Sequence, residues 1–212
     1  MRRAALGFRA HSGWAVLVAV AEPSVKGAGP MASMVIDRRR IEIAGAAIAG
    51  GTAVAVQPYH LARELDPGQA REFIERNRGE ANRLAEGAVR AAIQDLRLRG
   101  WAPAGCGILL ASGRPLPSLA EILASHSLIH AAEGDMFRNA LEAAGESCGL
   151  QVIGVKERDL YSRAAVAFGV PAEELRSDIE GLGRTLGSPW RQDEKYAALV
   201  GWLALAEVPK AD

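Results

Sequence analysis

The sequence predicts a three-layer α/β fold: a mixed sheet of about five strands, opened by an antiparallel meander, with helices on both faces. Three observations predict it. Short apolar runs rich in β-branched residues recur along the chain, three of them precede any strong helical pattern, and from residue 66 onward helical patterns alternate with further short runs. With 212 residues and 49% hydrophobic content the chain can bury a full core, and a single domain over 1–212 is the expectation.

The run from Trp14 to Ala21 reads as a buried central strand, because an uninterrupted apolar stretch of this length is what a strand covered on both faces requires. Met34 to Ile43 reads as a second strand, its consecutive Arg38, Arg39 and Arg40 suiting a sheet edge, and Thr52 to Gln57 as a third. Asp66-Pro67-Gly68-Gln69 is a helix start: a carboxylate to accept the first free N–H groups, then a proline whose missing donor is not needed there. That helix extends to about Arg99 and stops at Gly100. Gly105 to Ala111 is a buried strand, followed by a loop through Ser112-Gly113-Arg114, a helix bearing two histidines, and a strand from Leu150 to Val155. The remainder is helical, ending in a helix that begins at Ser188-Pro189 and runs from Trp190 to Ala206.

His126, His130 and Glu133 lie at about 0°, 40° and −20° around one helix axis, in the middle of its apolar stripe. The pattern predicts that all three point inward, where an unpartnered polar group costs on the order of 1–3 kcal/mol. They therefore meet one another, a ligand or a metal. The spacing i, i+4, i+7 allows the set to ligate one zinc, iron or manganese ion, since imidazole and carboxylate both bind such ions at about 2.0–2.2 Å. It is not the HExxH arrangement, in which the general base adjoins the first histidine. Of four histidines in the chain, the other two, His11 and His60, flank predicted strands and can approach the same face.

Asp193 sits in the first turn of the last helix, where a carboxylate serves the helix dipole or reaches the strand ends. Arg114 follows a buried strand at the edge where α/β sheets collect ligands, and can grip a carboxylate or phosphate. There is no GxSxG elbow, and Gly181, Gly183 and Gly187 follow a helix without the Lys-Ser/Thr of a phosphate loop.

Lys plus Arg equals Asp plus Glu at 25 each, so no global charge favours nucleic acid or an anionic membrane. Residues 1–40 carry seven basic and two acidic side chains, a local excess that a solvated edge strand accounts for. Two cysteines, Cys106 and Cys148, lie outside any metal-binding spacing and fit a reducing cytosol. No stretch approaches a membrane span, and the expectation is a soluble, cytoplasmic protein.

Three strands, helix, strand, helix, strand and final helix is the element order of the ribonuclease H-like fold, and the chain resembles Holliday-junction resolvases over its whole length. In that family the first strand carries a metal-binding Asp and the last helix begins Pro-x-x-Asp ahead of small residues. Here the corresponding segments read His11-Ser12-Gly13-Trp14-Ala15-Val16 and Pro189-Trp190-Arg191-Gln192-Asp193. The resemblance implies a carboxylate cluster holding two metal ions, of which only Asp193 is matched: His11 or Ser12 takes the first acidic position, and another falls near Ser112 to Arg114.

Three readings follow. In the first, the chain is a ribonuclease H-like domain without nuclease chemistry, whose pocket of His11, His126, His130, Glu133 and Asp193, with Ser12 and Arg114 at its rim, binds a small anionic molecule or a partner. In the second it is a metal-dependent hydrolase, with His126, His130 and Glu133 as ligands and Asp193 or His11 as general base. In the third the histidines complete a buried structural network.

Overall fold

The computed structural model describes residues 1–22, 34–45, 54–111 and 115–209. Five strands, β1 (Arg2–His11), β2 (Trp14–Ala21), β3 (Met34–Glu42), β4 (Trp101–Leu110) and β5 (Gln151–Lys156), form one sheet in the order β3-β2-β1-β4-β5. The pairs β1/β2 and β2/β3 are antiparallel, while β1/β4 and β4/β5 are parallel. The edge position expected for the three arginines is where β3 lies.

The strand composition differs from the sequence expectation at two places. β1 was not expected at all: its residues are mostly Ala, Arg and Gly, with no β-branched side chain to signal a strand. Of the expected strand over Thr52 to Gln57, residues 54–57 are not in a strand. Thr52 and Ala53 lie outside the described residues, and residues 54–57 lead directly into a helix, with the Ala55 N–H donating to Asn77 Oδ1 at 2.8 Å rather than to a neighbouring strand.

The helices are α1 (Pro58–Ala62), α2 (Pro67–Leu98), α3 (Leu119–Ala124), α4 (His126–Ser147), α5 (Leu160–Phe168), α6 (Ala172–Gly181), α7 (Gly183–Leu186) and α8 (Gln192–Glu207). Asp66 caps α2 as its sequence requires, accepting from the Gly68 and Gln69 N–H groups at 3.0 Å each. The expected histidine-bearing helix is broken: a Ser118/Glu121 capping box starts α3, and an extended Ser125 separates it from α4. The last helix starts at Gln192 rather than Trp190, leaving Trp190 and Arg191 outside it.

Alternation along the central strands sorts the core into two layers. Ala4, Leu6, Phe8, Leu17 and Ile108 pack under α2 and α4 on one face, while Ala5, Val16, Val18, Leu109 and Val155 pack under α5, α6 and α8 on the other. α8 is buried continuously from Ala197 to Leu205, and it rests on β1 where Gly7 leaves room. Among the described residues no helix is long and apolar enough to cross a membrane.

Candidate functional site

β1 and β2 are joined by a two-residue turn, Ser12-Gly13, in which Gly13 adopts φ +81°, a left-handed conformation that glycine takes without steric cost. The turn makes His11 and Trp14 a cross-strand pair, and their rings stack at 4.1 Å with planes 12° apart. Arg9 and His11 project to the α8 face, opposite Phe8 and Ala10. There Asp193, in the first turn of α8, receives both: Arg9 Nε forms an ion pair with Oδ1 at 2.8 Å, and His11 Nε2 lies 3.0 Å from Oδ2. Arg9 also pairs with Glu157, just beyond β5, at 3.3 Å. One guanidinium thus stands between the two carboxylates at the ends of the parallel strands. Arg9 was missed in the sequence because its strand was missed.

Beside this cluster, a cavity of about 580 Å³ opens at the carboxyl ends of β4 and β5. Lys156, Glu157, Arg158, Tyr161, Arg176 and Tyr196 line it. Burial pushes the Tyr161 phenol up from its ordinary value, and Arg176 lies 4.1 Å over its ring. Lys156 has no ion-pair or hydrogen-bond partner among the described residues.

The second constellation is on the other face of the sheet. His126 and His130 occupy successive turns of α4, with their Nε2 atoms 3.1 Å apart. His60, from α1, completes the group, and one ring nitrogen of each of the three lies within 4.8 Å of the others. Glu133 takes a different part. Its side chain is 1% exposed, and Oε1 accepts from the His60 backbone N–H at 3.3 Å and lies 3.0 Å from Nδ1. With the carboxylate as acceptor, Nδ1 is the donating nitrogen of His60, and in the neutral imidazole Nε2 is then the nitrogen with a lone pair to offer.

The sequence expectations are corrected here in three respects. His126 and His130 are exposed, although Ile129 between them is fully buried in the core. Glu133 is an orienting group behind His60 rather than one of the three converging donors. The single pocket dissolves: Asp193 and His11 are across the sheet from the histidine group and cannot serve it as general base. Ser12 is half-buried in the hairpin turn, and Arg114 lies outside the described residues.

The arrangement is similar to Thermus thermophilus RuvC, with a TM-score of 0.51 and 13% sequence identity over 94% of this chain and 91% of that one. The fold is ribonuclease H-like. A structure of T. thermophilus RuvC in complex with Holliday junction substrate is similar at a TM-score of 0.50 and 10% identity, covering 94% and 90%. No protein-family model and no curated relative matches the sequence. At these identities the likeness extends to the fold alone. The two-ion centre that the resemblance implied does not fit these residues, since a guanidinium fills the space between Asp193 and Glu157 and His11 takes the remaining Asp193 oxygen.

Proposed function

We infer that this chain is a ribonuclease H-like domain that binds a small anionic molecule at the carboxyl ends of its parallel strands and does not cleave phosphodiesters there. The observation that supports it is Arg9. A two-metal phosphodiesterase needs carboxylates free to hold both ions, and here each is held by a cation of the protein itself. The adjoining cavity supplies what an anion needs: an unpaired Lys156 ammonium, the guanidinium groups of Arg158 and Arg176, and the hydroxyl-bearing Tyr161 and Tyr196. Among the described residues one carboxylate, Glu157, lines the same space, and it is paired with Arg9.

Calorimetry against phosphate, nucleoside mono- and diphosphates, dicarboxylates and a four-way DNA junction tests this reading. Binding of a small phosphorylated or carboxylated molecule, weakened tenfold or more in Lys156→Ala or Arg176→Ala, is the expected result. Cleavage of the junction in magnesium or manganese that Asp193→Asn abolishes would overturn it, and would restore the nuclease role of the similar fold.

A further inference from the structure

We propose that His60, His126 and His130 form a binding site for one divalent transition-metal ion, zinc foremost, with Glu133 as its positioning carboxylate and a fourth coordination position open to solvent. The rings are arranged for convergence rather than stacking. Their centroids are 4.5–5.2 Å apart, and the planes are inclined by 62–84°, so edges and not faces meet. A tetrahedral ion with nitrogen ligands at about 2.0–2.1 Å holds those nitrogens roughly 3.3 Å from one another. The 3.1 Å between the His126 and His130 Nε2 atoms is already close to that spacing, and a ring nitrogen of His60 lies within 4.8 Å of both.

The histidines are not together because burial forces them to satisfy one another. His126 and His130 are exposed and could point into water. Their i, i+4 spacing instead puts both on one side of α4, facing α1, which Tyr59 and Ala62 anchor to the core.

Glu133 supplies an independent argument. It is fully buried, and its Oε2 has no partner among the described residues. A carboxylate in that position is an uncompensated charge unless a cation stands near, and the contact through His60 Nδ1 places the ion's charge one imidazole away. Carboxylate behind histidine behind metal is a recurrent outer-shell design: it fixes the tautomer that presents Nε2 and makes that nitrogen a better donor. Nitrogen ligands favour zinc, copper, nickel or iron over magnesium and calcium. Three protein ligands leave a position for water or an exchangeable anion, as in zinc sites that do chemistry.

The test is titration of the untagged full chain with zinc and with cobalt, using a competing chromogenic chelator and the visible ligand-field spectrum of the cobalt form. One equivalent with a sub-micromolar Kd and a tetrahedral cobalt spectrum is expected. His126→Ala/His130→Ala should lose binding at least 100-fold; both positions are exposed, so its circular dichroism should match the parent. Glu133→Gln should weaken binding by about 10- to 100-fold and alter the cobalt spectrum. No binding below 100 µM metal, or one equivalent that the double histidine variant retains, overturns the site. An unchanged affinity and spectrum in Glu133→Gln overturns the carboxylate's role.

Discussion

Removing the Arg9 side chain leaves Glu157 without a cation and Asp193 with His11 alone. Arg9→Ala is therefore expected to lower stability by about 1 kcal/mol, the scale of two ion pairs discounted for the partial exposure of the carboxylates. Arg9→Lys should recover only part of it, because a single ammonium cannot span both acids as the guanidinium does; urea denaturation of the two variants measures the difference. Cys106 gives a second residue-level expectation. Burial, reinforced by the charges of Cys148, Glu142 and Glu146, pushes its thiol from 9.0 up to about 12. The unfolded chain thus releases this proton first, so the contribution is intact below pH 9 and declines as pH rises from there toward 12, with a slope of at most about 1.4 kcal/mol per pH unit. Stability measured from pH 8 to 11 should fall more steeply in the parent than in Cys106→Ala; parallel curves would refute the expectation. The sequence identified His126, His130 and Glu133 as chemically capable, but helical-wheel angles give a direction around the axis and not which neighbouring element covers it. The three share the continuous helix α4, and what separates them is the facing element: Glu133 meets His60 of α1 and is buried, while His126 and His130 stay exposed.

At the scale of elements, the contact between α8 and β1 sets the strictest requirement. A Cβ on Gly7 would lie inside the van der Waals radius of the Ala197 carbonyl, and one on Gly107 would collide with that of Val200. Both obstacles are backbone, so a helix and a sheet must separate to admit a methyl group. Gly7→Ala is expected to destabilise by about 3 kcal/mol, at the upper end for overpacking, whereas Gly87→Ala, on the open side of α2, should be neutral or stabilising. Equal effects of the two substitutions in chemical denaturation would contradict this packing. The same contact explains why β1 escaped a reading of the sequence. A strand that admits a helix this closely must be small on that face, so Ala5 and Gly7 replace the β-branched residues that announce a strand. The two-residue alternation of Ala4, Leu6, Phe8 and Ala10 was the signal available. By contrast α2, β4 and β5 were legible, because a capped amphipathic helix and buried apolar runs follow directly from local chemistry.

Across the whole molecule, the sheet divides the chemistry: Arg9, His11 and Asp193 lie on the α8 face, and the histidine group with Glu133 on the α2/α4 face. The layers that separate them are apolar and close-packed, and no hydrogen bond or ion pair among the described residues links one group to the other. Sites without shared partners contribute additively to stability, to within about 0.3–0.5 kcal/mol. Zinc that binds only the folded chain stabilises it by RT ln(1 + [L]/Kd), which is about 2.7 kcal/mol at a hundredfold excess over Kd. That increment should therefore be the same in Arg9→Ala as in the parent, and vanish in His126→Ala/His130→Ala while the Arg9 effect persists there undiminished. Denaturant unfolding of the four combinations, with zinc and with a chelator, closes the cycle. A zinc increment that changed by more than about 1 kcal/mol on removal of Arg9 would mean that the sheet transmits between its faces, and the two constellations would then have to be treated as one site read from both sides.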